Sequence, residues 1–287
     1  MKNSLYESAY EKKAKIQTEE NRKIYRINDG SGELTITEYG IFSGIRLYDQ
    51  TAYDRKYVYP PVCSKGLLEI THCREGRLEY EAEDSVFYLT AGDMSISKSS
   101  GEGTAIYCPT QYYHGISVVI DPVAAPNCLS CLLEDVKVRP AALMEKFCEK
   151  ERYFLMRSNV RLEHVFSEFY SVAEDIQKEI CLGYFKVKIL ELLLFLSSIT
   201  PELSQIRQRS CSKAQTVLAK QVCEFINMHM DTRLTISQLA EEFYVSPSQL
   251  KNCFYNVYGE SIQSYIRGYK MRSAANCQQP HKKSRDK

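Results

Sequence analysis

No stretch of this 287-residue chain is apolar for long enough to cross a membrane. The densest run, Ile189-Leu190-Glu191-Leu192-Leu193-Leu194-Phe195-Leu196, is interrupted by a charge and falls far short of the roughly 20 residues a span requires. The opening Met1-Lys2-Asn3-Ser4-Leu5-Tyr6-Glu7 lacks the apolar core of a signal peptide, so a cytoplasmic location with no membrane partner is expected. Also lacking are a phosphate-cradling Walker loop, a dinucleotide fingerprint and a nucleophile elbow. With no recognisable catalytic constellation, no enzyme activity and no cofactor are expected. There is no internal repeat and no low-complexity segment. A net charge of +1 points to no partner by itself.

Cysteine, by contrast, is plentiful, but the 11 residues are odd in number and follow no regular framework. Cys181, Cys223 and Cys253 lie in apolar contexts, where a free thiol behaves as a small hydrophobe. Cys128-Leu129-Ser130-Cys131 has the spacing of half a zinc site, yet no second pair accompanies it, so no metal is expected. Reduced thiols fit a cytoplasmic protein. With 44% hydrophobic and 25% charged residues the chain belongs among folded globular proteins, and its length allows two domains.

The patterning divides the chain. Residues 1–21 are polar and read as a loose or helical lead-in. From Arg22 to Pro122 short β-like runs alternate with turns. The runs include Glu33–Tyr39, Leu67–His72, Arg77–Glu81 and His114–Ile120; the turns include Asp29-Gly30-Ser31-Gly32, Glu75-Gly76, Ala91-Gly92-Asp93 and Ser99–Gly103. Strands this closely spaced predict a β-sandwich or small barrel, here bounded at 22–135. After Pro126 glycine almost vanishes and helical periodicity begins: Ala141–Cys148, Val160–Ile180 and Leu182–Ser198. In the last, Leu182, Phe185, Ile189, Leu193 and Leu196 share one face, which Val187, Leu190 and Leu194 widen. So apolar a helix must be buried, in its own domain or against a partner chain. Residues 136–207 therefore read as a helical connector, with a homodimer expected through Leu182–Leu196. Gln208–Lys213 reads as a linker.

Three helical patterns follow in 216–275. The first, about Thr216 to Met230, is expected to bury Val217, Leu218, Val222, Phe225 and Ile226. The second opens on Thr235 with Gln238 three residues on, a capping box. It ends at Phe243, and after a turn at Tyr244-Val245 the third opens on Ser246-Pro247-Ser248-Gln249, with Ser246 and Gln249 as a second box and Pro247 at the first helical position. Gly259 is its natural stop. Leu250, Phe254 and Val257 mark a core face, with the small Ala240 opposite on the second helix. Ser248, Lys251, Asn252 and Tyr255 lie on the other side, a set able to read base edges or bond phosphates. Two short capped helices around so tight a turn suit a DNA-binding helix-turn-helix; an ordinary helical bundle with a polar surface shares the spacing. From Lys251 onward the basic residues Lys251, Arg267, Lys270, Arg272, Lys282, Lys283, Arg285 and Lys287 face only Glu260 and Asp286, a distribution consistent with an anion-binding surface.

The segments 234–240, 245–254 and 258–262 closely resemble the AraC/XylS family of transcription regulators, and Tyr265–Ala275 is similar to that family's linker helix. The resemblance implies an α+β protein with a cupin-like N-terminal sensor, a helical connector and an all-α C-terminal module. It also implies a regulator of transcription that binds double-stranded DNA and responds to a small-molecule effector. Ser248, Lys251 and Asn252 match the base-reading positions of the family's first recognition helix; Arg267, Lys270 and Arg272 are expected on the DNA backbone. The family's module has two helix-turn-helix units, whereas 276–287 is too short and polar for a second. Weak binding by this chain alone is therefore expected. The alternative is an effector-binding, dimerising interaction protein that modulates a full-length regulator and binds DNA poorly. Cupin enzymes carry a His-x-His metal pair, but between Arg22 and Pro122 only His72 and His114 occur, apart from each other. Glu69, His72, Tyr80, Tyr112 and His114 are candidates to line an effector pocket; the two histidines suit equally well a place at strand ends with local hydrogen bonds.

Overall fold

The computed structural model describes residues 14–28, 30–58, 64–81, 85–99, 101, 105–126, 129, 138–149, 153–175, 178–201 and 211–277, the side chains of 172–175, 178, 179 and 272–277 aside. Two compact units emerge. One comprises 1–82 and 87–209, the other 83–86 and 210–287. Among the described residues no helix is long and apolar enough to cross a membrane.

The first unit is built on antiparallel strands: β1 (Ala14–Thr18), β2 (Arg22–Asn28), β3 (Glu33–Phe42), β4 (Ile45–Tyr53), β5 (Tyr57–Val58), β6 (Leu68–Glu81), β7 (Ser85–Thr90), β8 (Met94–Lys98), β9 (Ile106–Tyr107), β10 (Tyr112–Ile120) and, after a first helix, β11 (Tyr153–Met156). Neighbours run β1-β2-β3-β4-β10-β6-β7, with β8 on β6 and β11 on β8; β5 and β9 form a separate pair. The β-branched and aromatic residues of β10 suit a strand buried on both faces, and nearly all of it is buried. One face carries Tyr25, Ile36, Tyr48, Cys73, Phe87 and Tyr113 in a single cluster. Because β2 and β7 are far apart in strand order yet share that cluster, the sheet curls around it. The other face (Leu47, Ile70, Ile96, Ile116, Val118) packs on α1 (Pro140–Cys148), α2 (Val160–Asp175) and α3 (Lys178–Ser198).

Several expectations change here. Residues 14–18 are a strand paired with β2, where the polarity of 1–21 suggests a loose or helical lead-in. Lys15, Gln17 and Thr18 are exposed because β1 is an edge strand, and such a strand needs no apolar face. Glu75-Gly76, read as a turn, lies inside the continuous β6, where the register with β10 slips at His114/Gly115. Gly76 absorbs the slip at φ +89, and a Cβ there would meet the Tyr112 carbonyl oxygen at 2.1 Å. The expected Val160–Ile180 helix ends at Asp175, and Ile180 belongs to α3. The pair Cys128/Cys131 and the residues 278–287 lie outside the described residues.

The apolar face of α3 is where the dimer expectation meets the structure. Phe185, Ile189, Leu192, Leu193 and Leu196 are buried in the chain's own core against the sheet, so Ile189 and Leu193 are not available to a partner. Val187, counted from periodicity as part of that face, is 65% exposed. At 100° per residue Val187 falls on the solvent side with Ile180 and Tyr184, at spacings of four and three.

The second unit begins with β12 (Cys211–Ser212) and holds α4 (Lys213–Met228), α5 (Ile236–Glu242), α6 (Pro247–Tyr258) and α7 (Ile262–Cys277). The tail of the expected linker is thus ordered. Ser212 caps α4 through a full box with Gln215, a signal of the same kind as Thr235/Gln238. That cap sets the face: α4 buries Thr216, Ala219, Val222, Cys223 and Ile226, while Val217 is 52% exposed and Leu218 and Phe225 are half-buried.

Two substitutions two residues apart separate the faces of α3. Ile189→Asp buries a charge without a partner and is expected to cost about 4 kcal/mol or more. At concentrations low enough to keep the chain monomeric, Val187→Asp should stay within about 0.5 kcal/mol. Denaturant melts of the two variants check this; equal losses would mean Val187 is not on the solvent side.

Candidate functional site

Within the second unit, hydrogen bonds between neighbouring residues fix where each helix starts. Thr235 Oγ1 accepts from Gln238 N at 3.3 Å while Gln238 Oε1 accepts from Thr235 N at 3.0 Å, completing the box on α5. On α6 Ser246 Oγ accepts from Gln249 N at 3.2 Å with Pro247 at the first turn, but the reciprocal Gln249 bond of the expected second box is not made. Gly259 closes α6 in the left-handed conformation, φ +76. Between α5 and α6, Tyr244 takes φ +53 with its side chain 96% exposed, an uncommon conformation for an aromatic residue. Leu239 and Ala240 on α5 and Leu250, Phe254 and Val257 on α6 are buried. The helix therefore presents Ser248, Lys251, Asn252 and Tyr255 outward, all exposed. Its N-terminus, with positive dipole and unpaired backbone N–H groups, lies at the same end as Ser248.

α7 is held to this core by aromatic packing and a small polar triangle. Tyr265 lies 5.6 Å from both Phe254 and Tyr258, ring centre to ring centre. Its hydroxyl donates to Asn227 Oδ1 and accepts from Cys223 Sγ, both at 3.2 Å. On its outer side Arg267 and Lys270 are exposed; Arg272 is on the same helix, its side chain outside the described residues.

In the first unit, strand register sorts the five candidate pocket residues onto two faces. His72 and His114 are on the helix-covered face. His72 stacks on Phe166 at 4.2 Å and its Nδ1 is 2.9 Å from Tyr170 Oη; burial lowers its pKa to about 4. His114 Nε2 meets Asp49 Oδ1 at 3.1 Å and the ring stands edge-on to Tyr170. Both histidines thus have packed, hydrogen-bonded local partners. Tyr112, at the start of β10, is half-buried and packs its ring 5.1 Å from Tyr53.

Glu69 and Tyr80 are on the enclosed face, and neighbours that the sequence reading did not pick out join them. One row across the strands runs Arg46, Val119, Glu69, Ser97, Tyr153; the next runs Glu38, Tyr48, Ser117, Thr71, Ser95, Leu155. These two rows form a polar band. Beyond them the face turns apolar, with Leu34, Ile36, Ala52, Cys73 and Tyr113. In the band Thr71 and Ser117 hydroxyls are 2.9 Å apart, and Thr71 Oγ1 donates to Glu69 at 3.2 Å. Glu38 accepts from the Tyr25 hydroxyl at 2.9 Å and pairs with Arg46 at 3.2 Å. The Tyr80 hydroxyl bonds Ser95 and its ring stacks on Phe87. Tyr113 lies over Gly115, where a Cβ would come within 2.1 Å of its hydroxyl, so the ring runs along β10 towards Ser117. That hydroxyl is buried and has no hydrogen-bond partner among the described residues. Burial pushes the half-buried Glu69 carboxyl up to about 7, only partly offset by Thr71. A period-two reading of Tyr113, Gly115, Ser117 and Val119 would have found the inner face, had the apolar Ile116, Val118 and Ile120 not made both faces look like core.

Among the described residues no group of three or more His, Cys, Asp and Glu gathers as a metal cluster would. Cys73, Cys108, Cys148, Cys181, Cys223 and Cys253 are free thiols.

Residues 226–267 match the family described as bacterial regulatory helix-turn-helix proteins, AraC family. No curated protein matches the chain. Among solved structures it is similar to the AraC-like transcriptional activator CuxR, at 12% identity and a TM-score of 0.36, over 91% of this chain and 86% of that one. It is also similar to ToxT from Vibrio cholerae O395 bound to (E)-4-(8-methylnaphthalen-1-yl)but-3-enoic acid, at 11% identity and a TM-score of 0.29, over 79% of this chain and 98% of that one.

Glu69 and His72 oppose each other in pH dependence. The folded state favours neutral Glu69, so stability is lost as pH rises from the unfolded carboxyl value near 4.5 through about 7. It also favours neutral His72, so stability is lost as pH falls from about 6.5 towards about 4. Glu69→Gln should therefore leave a fold whose melting temperature climbs between pH 4.5 and 6.5 more steeply than the parent's. An unchanged profile would mean that Glu69 has an ordinary carboxylate environment.

Proposed function

We propose that this chain, which carries an AraC-family DNA-binding helix-turn-helix over residues 226–267, is a sequence-specific regulator of transcription whose β unit receives a small effector. The observation that carries the reading is the two-sided character of α6. One side is core; the other offers Ser248, Lys251 and Asn252 to solvent from a helix with a capped start and a glycine stop. Asn suits adenine, Lys suits guanine and Ser suits either, so these three read bases. Arg267 and Lys270, with Arg272 on the same helix, neutralise phosphates and set register but carry no sequence information.

The β unit supports the effector half of the reading through its polar band. An enclosed face that pairs some polar groups and leaves the Tyr113 hydroxyl unmatched has hydrogen-bonding capacity to spare. Self-association, in this reading, uses the solvent side of α3 through Ile180, Tyr184 and Val187, the apolar residues that the core leaves uncovered.

Three outcomes are expected. Changing Lys251 and Asn252 together to Ala should flatten the preference among DNA sequences by roughly 1–3 kcal/mol per lost base contact, with folding unchanged. Sequence preference surviving that change in a DNA-shift assay would mean α6 is not the reader. The described residues hold one recognition helix, and each phosphate contact adds about 0.9 to the slope of log affinity against log salt. Titrations of the chain alone should therefore give weak binding at physiological salt with a shallow slope; nanomolar specific binding would show that one unit per chain in a dimer suffices. Light scattering at micromolar concentration should give a dimer that Val187→Asp converts to a folded monomer, and a parent monomer would remove α3 from the assembly.

A further inference from the structure

The polar band has an electrostatic imbalance that selects among ligands. Arg46 is the cation of its outer row, and it is paired with Glu38. Glu69, two strands away in the same row, has Thr71 Oγ1 as its hydrogen-bond partner and meets no cation among the described residues. A half-buried carboxylate without a counter-charge is costly, and a ligand that brings the charge recovers that cost. The second observation is independent of the first. Tyr113 is fully buried, its hydroxyl has no partner, and Gly115 keeps the space beneath the ring clear so that it points along β10 towards Ser117. Ser117 bonds Thr71, which bonds Glu69, so the unmatched Tyr113 hydroxyl points towards one end of the hydrogen-bonded chain whose other end is the unmatched charge.

We propose that the polar band binds a small ligand bearing a protonated amine, with Glu69 as its counter-charge and the Tyr113 hydroxyl as a further hydrogen-bonding partner. This rests on the reading of the β unit as an effector sensor and names the class of effector. The ammonium donates to Glu69. Thr71 and Ser117, whose hydroxyls both donate and accept, orient whatever polar group neighbours the amine. Tyr80, on the same enclosed face, adds an aromatic wall beside the charge. A ligand with a carboxylate in place of the amine would meet Glu69 as a like charge and be turned away.

The test uses the full chain with putrescine, agmatine and ethanolamine beside 1,4-butanediol, ethylene glycol and succinate, followed by thermal shift and calorimetry. At least one amine should raise the melting temperature by several degrees at millimolar concentration while its uncharged counterpart does not. Glu69→Gln should fold and lose the amine response. Tyr113→Phe should fold and bind the same amine at least about tenfold more weakly, as expected for a lost hydrogen bond. Amine binding should weaken between pH 8 and pH 6 as Glu69 takes up a proton. The other titratable groups sharing that face are Lys23 and Tyr25 on β2, Glu38 on β3, Arg46 and Tyr48 on β4, Cys73 and Tyr80 on β6, Cys108 before β10, Tyr113 on β10 and Tyr153 on β11; none of these residue types has its ordinary value in that interval. No response to any of the amines, or an equal response in Glu69→Gln, overturns the proposal. A response to the diols or succinate without one to the amines also overturns it while leaving the sensor reading intact.

Discussion

The pairing of β10 with β4 on one side and β6 on the other is the constraint on which the first unit depends. In an antiparallel ladder the side chains of directly opposed residues point to the same face, so one register decides the content of both faces at once. Opposing Ser117 to Tyr48 and Thr71 puts hydroxyls together on the enclosed side. The same register puts Val118, Leu47 and Ile70 together under the helices. A slip of one residue would exchange them, placing polar residues of the band against the helices and turning apolar ones to the enclosed side. Gly76 and Gly115 hold the register where it is, the one by accepting a left-handed backbone and the other by leaving room for a tyrosine ring.

The helical layer completes this arrangement. α3 shields the outer face with Phe185, Ile189, Leu192, Leu193 and Leu196, and α2 contributes Phe166, Phe169 and Tyr170. His72 is drawn into this layer between Phe166 and Tyr170. The β7–β8 turn is tied to the same layer. Asp93 accepts from Thr90 N and Oγ1 and from Ser158 N, and pairs with Arg157.

How much of this could be read beforehand follows from how local each signal is. Thr235 with Gln238, Pro247 and Gly259 act within one turn of their own helix, and the bounds of α5 and α6 followed from them. Ser212 with Gln215 is the same signal, hidden because its neighbours Gln208–Lys213 look like a linker. The face of α3 was half legible: the spacing of Phe185, Ile189 and Leu193 gave the buried side, but a sheet or a second chain would cover it equally well. The enclosed β face was the least legible. Thr71, Ser117 and Tyr113 acquire their meaning from strands remote in sequence, and β10 is apolar enough on both sides that alternation carries little information.

The capping hydroxyls also bear on the order of events during folding. Ser212, Thr235, Ser246 and Ser261 each bond a backbone N–H three residues ahead, so the starts of α4, α5, α6 and α7 are set by contacts that close almost no loop. The β10 ladder instead brings Ile120 to Ile45 and Leu68, and each such contact requires a long intervening segment to be immobilised first. Local helical contacts form on about the microsecond-to-millisecond scale, whereas non-local β pairings take roughly milliseconds to seconds. On dilution from denaturant the helical unit is therefore expected to regain its structure early, and the enclosed face of the sheet to be completed last.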